Sequence, residues 1–301
     1  SLPMPMRVKP MPVVMISSMT ERGSAATLKA LELGALEIVN KPKENSASHL
    51  SDYADEICDK IRAAYAGRAK VVSNISSGNA ALRSALVTQR DAVAPSKVLQ
   101  SRHLVAIGAS TGGTEAIRTV LQLLPADMPG IVVVQHMPEL FTGSFAKRLD
   151  GLSRLRVVEA SDGEAILPGH VYLAPGSHHM RIRKSGNGLV VALSSEAPVN
   201  RHRPSVDVLF DSVAEVAGKH ATGVLLTGMG KDGAAGLLRM RKAGAWTIGQ
   251  DEESCVVYGM PREAAAIGAV QEVAALKEVA ARVLARLHHL DKEAGVVPAS
   301  T

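Results

Sequence analysis

VAIGASTGGT, residues 105–114, reads as a buried strand, a glycine-rich turn and the first residues of a helix. Residues 108–112, Gly-Ala-Ser-Thr-Gly, match the spacing GxSxG. Glycines on both sides permit a sharp strand-to-helix turn that pushes the Ser110 hydroxyl outward. The helix N-terminus just after it offers N–H groups and a positive dipole end to a developing oxyanion. The same turn also fits a phosphate cradle, as in dinucleotide-binding folds. Two features separate the readings. The spacing is GxSxGG, not GxGxxG. The next strand-like run, 131–135, ends in His136, where a dinucleotide fold places an acidic residue for the ribose.

Around this stretch, apolar runs and helical periodicities alternate. Strand-like runs fall at 104–107, 131–135, 171–173, 189–193, 224–227 and 246–249. Helical patterns fall at 115–124, 205–217, 234–243 and 276–287. The alternation predicts an α/β fold, a doubly wound and mostly parallel sheet, over 102–290. Residues 151–191 carry short strand-like runs without long helices, which predicts an antiparallel extension. Residues 1–67 read strand–helix–strand–helix, with strands at 12–17 (PVVMIS) and 36–39, a partial α/β segment. Residues 68–101, rich in Ser, Ala, Asn and Gln, read as a linker with a short helix near 80–87, and 291–301 as a terminal tail.

Composition narrows the function classes. Hydrophobic residues make up 46% of the chain and aromatics 3%, so aliphatic side chains and Ala must fill the core. The net charge of +5 is spread without a long Lys/Arg block, which argues against a nucleic-acid partner. Cys58 and Cys255 form no CxxC pair and no disulfide framework, which fits a reducing cytoplasm. No apolar run approaches the roughly 18 residues of a membrane span, so direct membrane insertion is not expected. No HExxH or Cys/His set points to a metal. The pairs His178-His179 and His288-His289 are adjacent, and neighbours point apart on a strand or helix.

His136 and Asp232 share the strand-end position of Ser110. His136 follows the run 131–135 directly, and Asp232 follows 224–227 through a glycine turn. Taken singly, His136 reads as a structural histidine and Asp232 as a cap on the helix starting near 234. Taken with Ser110 they suit a nucleophile, its base and the base's orienter, in the crevice where open α/β sheets bind ligands. The order Ser, His, Asp differs from the Ser, Asp, His order of α/β-hydrolases, so GxSxG does not assign that superfamily. Arg201, His202 and Arg203 (NRHRP) suit either an anionic partner surface or a solvated basic turn.

The motifs VAIGASTGGTEAI (105–117), QHMP (135–138), NRHRPSVDVLF (200–210), LLTGMGKDGAAG (225–236) and CVVYGMPREA (255–264) together resemble the chemotaxis protein-glutamate methylesterases, two-domain response regulators. The resemblance implies catalytic Ser110, His136 and Asp232, an oxyanion donor in the backbone N–H of Met229, and Thr111 beside the nucleophile. It implies hydrolysis of glutamate methyl esters on methyl-accepting chemotaxis receptors, and deamidation of certain receptor glutamines, without a cofactor. Substrate contacts are expected at Thr111, Arg201, His202 and Arg203. Residues 1–67 resemble the second half of a receiver domain, with Ser17 and Lys41 as its hydroxyl and lysine. The strands that would carry the phosphoacceptor have no counterpart before Ser17, so the sequence reads as N-terminally shortened, with no phosphoacceptor. A chemotaxis histidine kinase is expected as partner of the full-length form only. Half a parallel sheet leaves an unpaired edge, so this segment is expected to fold loosely and cover the crevice poorly.

Overall fold

The run Leu104-Val-Ala-Ile107 has no polar position, the pattern of a strand covered on both faces. The structure, a computed structural model, describes residues 12–17, 30, 35–40, 54, 57–58, 60–62, 64–65 and 95–293. In it that run becomes β3 (Leu104–Ala109), the central strand of a seven-stranded sheet. Its neighbours are β4 (Gly130–Gln135) on one side and β9 (Ala221–Leu225) on the other. Beyond β4 lie β6 (His170–Leu173) and β5 (Arg156–Glu159); beyond β9 lie β10 (Trp246–Gln250) and β11 (Glu272–Ala274). Every pairing in this sheet is parallel. The chain first builds outward through β4 and later returns to the opposite side of β3 through β9. A doubly wound sheet opens its crevice at such a reversal, at the carboxyl ends of the strands.

Alternate side chains of each strand enter opposite layers. Val105, Ile107, Ile131, Val133 and Val224 pack with α2 (Gly113–Leu123), α3 (Glu139–Leu152) and α7 (Leu276–Glu293). Leu104, Ala106, Val132, Val134 and Leu225 pack with α4 (Val206–Val216), α5 (Ala234–Lys242) and α6 (Met260–Ala266). Register completes the arrangement. Ala109 pairs with Gln135 and Gly108 with Leu225, so the residues following β3, β4 and β9 emerge at one edge.

The sequence reading needs correction in four places. The antiparallel extension expected over 151–191 divides: β5 joins the main sheet in parallel, while β7 (His179–Ser185) and β8 (Gly188–Ser194) form a separate antiparallel hairpin against α4. Helices α3 and α6 and the short strand β11 lie in stretches given no element from sequence. The stretch read as a linker to 101 ends in a helix, α1 (Lys97–Arg102). The tail does not begin at 291. Asp291 is buried in α7, and its carboxylate accepts from the Ser96 N–H at 2.8 Å and from the Ser96 hydroxyl. A buried carboxylate with two donors ties the start of the unit to its last helix.

In the N-terminal segment β1 (Val13–Ser17) and β2 (Ala35–Asn40) pair in parallel. The helical spacing of Ala54, Ile57, Ile61 and Ala64 matches described helical residues. The Ser17 side chain, Lys41, the short helix near 80–87 and residues 294–301 lie outside the described residues. Among the described residues no helix is long and apolar enough to cross a membrane.

His103, between α1 and β3, is buried, and its Nε2 lies 3.0 Å from the Thr222 hydroxyl. Burial, helped by His220 and Arg286, lowers its pKa from 6.5 to about 3. The unfolded chain therefore binds a proton here that the folded chain refuses, and stability falls as pH drops from 6.5 toward 3. At pH 5 the expected loss from this residue is about 2 kcal/mol. Urea unfolding at pH 7 and pH 5 reads it directly. His103→Gln, which keeps a partner for Thr222, should remove about that much of the difference; an unchanged pH slope would refute the assignment.

Candidate active site

Ser110 leaves β3 on a backbone held from both sides. Its N–H donates to the Thr227 carbonyl after β9 (3.0 Å), and its carbonyl accepts from Gln135 Nε2 at the end of β4 (3.0 Å). The turn then passes through Gly112, whose φ of 77° is left-handed, into the N-terminus of α2. A side chain at Gly112 would be strained there and would press on Val256 at 2.7 Å. The loop after β9 approaches as closely. A Cβ at Gly228 would lie 2.8 Å from the Ser110 Cβ and 2.2 Å from the Met260 sulfur. Glycine at 228 is what lets this loop lie against the serine.

His136 follows β4, its N–H donating to the Ala109 carbonyl at 3.1 Å. Its Nε2 meets Asp232 Oδ2 at 2.8 Å. Asp232 is not a cap for the helix that follows it: α5 has Gly233 as N-cap and no side-chain cap. Its carboxylate caps α4 instead. Oδ2 also accepts from the Val206 N–H (2.7 Å); Oδ1 accepts from Asn200 Nδ2 (2.7 Å), the Ser205 hydroxyl (2.7 Å) and the Asp207 N–H (3.2 Å). Burial alone would raise the Asp232 pKa. The bonds from His136, Asn200 and Ser205 outweigh burial and hold it well below the usual carboxylate range.

That charge state fixes the histidine. An ionised carboxylate only accepts, so His136 Nε2 carries a proton, and in the neutral ring Nδ1 is the nitrogen with the lone pair. Nδ1 is buried and has no hydrogen-bond partner. Ser110, His136, Thr114 and Gln135 line one recess, so the serine and the histidine share one small space. Such an arrangement suits proton transfer from Ser110 to Nδ1. The Ser110–His136 hydrogen bond itself is not formed here, as is common before a substrate tightens such a site.

The remaining expected site residues separate. Met229 follows Gly228, next to Ser110, and lines a pocket of about 720 Å³ with Lys231, Val256, Tyr258 and Arg262. The Thr111 hydroxyl is committed to Glu37 Oε2 at 2.7 Å, and the Thr111 carbonyl to the Thr227 hydroxyl at 3.0 Å. Arg203 donates to the carbonyls of Ser195 (2.8 Å) and Glu196 (3.0 Å), a structural bond to the end of the hairpin. His202 stacks on His136, ring centroids 3.7 Å apart and planes 14° apart. Of the three basic residues Arg201 alone is exposed without such a tie. Among the described residues no group of three His, Cys, Asp or Glu is placed to hold a metal. His179 is structural: Nε2 meets the Ala197 carbonyl at 3.0 Å and Nδ1 accepts from the Ser205 N–H at 3.2 Å.

Four contributors escaped the sequence reading: Asn200 and Ser205, which hold Asp232; Gln135, which holds Ser110; and Glu37. Ser205 carried a signal, since it stands at the start of a helical pattern where a capping residue is expected. Glu37 carried none. The expectation of a poorly covered crevice also meets a different picture. Glu37 is buried, and with Leu36 and Ile38 of β2 it walls the recess of Ser110 and His136.

Comparison with known proteins gives the family. A family model described as CheB methylesterase matches residues 105–283. A protein-glutamate methylesterase/protein-glutamine glutaminase of Bordetella bronchiseptica is 58% identical over 286 residues, covering 94% of this chain and 78% of the relative. One from Nitrosomonas europaea is 55% identical over 289 residues, covering 96% and 79%. The crystal structure of the Thermotoga maritima CheB methylesterase catalytic domain matches with a TM-score of 0.61 at 39% identity, covering 62% of this chain and 99% of that one. This chain belongs to the CheB methylesterase family.

Proposed function

We propose that this protein hydrolyses glutamate methyl esters on methyl-accepting chemotaxis receptors and deamidates certain receptor glutamines, with Ser110 as nucleophile, His136 as base and Asp232 as the group that orients the base. The observation that supports the reading is the His136–Asp232 pair, bonded through Nε2 with Nδ1 left unpaired, in a histidine that lines the same recess as Ser110. Attack of Ser110 Oγ on the ester carbonyl sends the hydroxyl proton to Nδ1. The tetrahedral oxyanion meets the Met229 N–H, beside the serine at the α2 N-terminus. Collapse returns the proton to the departing methoxide, releasing methanol and leaving a glutamyl ester on Ser110. Water, deprotonated by His136, then frees the glutamate. With glutamine the leaving group is ammonia. Asp232 stays ionised and stabilises the imidazolium formed in each half.

Arg201, exposed and next in sequence to His202, is the proposed contact for acidic residues flanking the target glutamate. The proposal places the protein in the cytoplasm, with a chemotaxis histidine kinase as partner of a form carrying a phosphoacceptor. The competing reading, a phosphate or dinucleotide binder on the glycine-rich turn, is not favoured by the family assignment.

Ser110→Ala should lower methanol release from methylated receptor membranes by about 10⁴- to 10⁶-fold. It should also abolish labelling by a fluorophosphonate, while the urea midpoint stays near that of wild type. Near-normal turnover in the folded variant would refute the assignment. The Glu37 contact supports a second expectation. Losing a buried bond to a charged group costs about 1.5–3 kcal/mol, so Glu37→Ala should speed fluorophosphonate labelling of Ser110 by about 10- to 150-fold. An unchanged labelling rate would show that this wall does not limit access.

A further inference from the structure

Residues 199–202 close a tight turn. The Val199 N–H donates to the His202 carbonyl at 3.0 Å, and the His202 N–H returns to the Val199 carbonyl at 2.9 Å. Both central residues are left-handed, Asn200 with φ 52° and Arg201 with φ 67°. This geometry favours Asn followed by Gly. An arginine in the second position costs on the order of 1 kcal/mol, so the turn is held in place by what its flanking side chains do.

Those side chains grip the two partners of one hydrogen bond. The Asn200 amide donates to Asp232 Oδ1 and to Asp207 Oδ2, both at 2.7 Å. It supplies one N–H to each of two carboxylates that would otherwise meet with like charge. At the other end of the turn His202 lies flat against His136. We propose that this turn is the positioning element of the site: Asn200 sets the carboxylate of Asp232, and His202 sets the ring plane of His136. The inference rests on the triad reading given above.

The physical need is specific. One hydrogen bond through Nε2 anchors one edge of the His136 ring. The terminal torsion of histidine is broad, and rotation about it would change where Nδ1 points in the recess shared with Ser110. A second ring 3.7 Å away, nearly parallel, blocks that rotation. The stacked partner must also carry no charge, because a cation there would oppose proton uptake by His136. Burial first, and then His136 itself, lower the His202 pKa from 6.5 to about 3, against the pull of Asp232; Lys60 and Arg201 add to the lowering. His202 therefore stacks as a neutral ring at working pH.

The test compares His202→Ala, His202→Leu and His202→Phe in the full chain. It follows kcat and KM for methanol release from methylated receptor membranes, with fluorophosphonate labelling of Ser110 alongside. Removing the flat ring should lower kcat about 10- to 100-fold in the Ala and Leu variants and leave KM within about 2-fold. Phe, which restores a flat uncharged ring, should recover most of the loss. If Ala does not fold, Leu against Phe makes the same comparison at similar bulk. Equal losses in Leu and Phe, a loss confined to KM, or an Ala variant within about 2-fold of wild type would overturn the proposal. Wild-type chain that neither releases methanol nor labels at Ser110 would refute the triad reading on which it rests.

Discussion

A buried negative charge is the constraint around which this site is built. The Asp232 carboxylate sits in the interior with five donors on it, drawn from the residue after β4, the 199–202 turn and the N-terminus of α4. An unpaired carboxylate in such a place would cost several kcal/mol. Each donor therefore fixes the element that carries it. Asp232 itself belongs to the loop after β9, so the same contacts fasten that loop, and Gly228 within it, against Ser110. The positive end of α4 is used twice: it satisfies the charge, and it keeps the carboxylate ionised for His136.

The sheet supplies what the carboxylate alone cannot. Parallel neighbours in register bring three strand ends to one edge, and reversal of strand order at β3 opens room there. Close packing does the rest. Gly108 admits Val206, since a Cβ at 108 would sit 2.2 Å from Val206 Cγ1. The helix that Asp232 caps can thus lean directly on the strand that delivers Ser110. Fold and site are joined at that contact, and a side chain at 108 would separate the carboxylate from the histidine it holds.

Much of this was legible in the sequence for a local reason. Ser110, His136 and Asp232 each follow a short apolar run, and a parallel sheet sends the ends of all its strands the same way. What was hidden depends on contacts between distant segments or on backbone geometry. Glu37 meets Thr111 across 74 positions, and nothing near either residue announces the other. The left-handed pair at Asn200 and Arg201 is invisible in a sequence that places arginine where glycine is favoured. NRHRP therefore reads as a basic surface, although His202 turns inward and Arg203 is spent on carbonyls. Helix α3 was hidden by its glycines, Gly143 and Gly151, and β11 by its length of three residues.

The central claim is that an ionised Asp232 holds His136 by Nε2 and leaves Nδ1 as the base. Nitrogen-15 NMR of the imidazole, assigned with a His136→Gln variant and recorded where the ring is neutral, tests this without substrate. The account predicts a protonated Nε2 with a directly bonded hydrogen and a bare, pyridine-type Nδ1. A neutral ring with its proton on Nδ1 would contradict it.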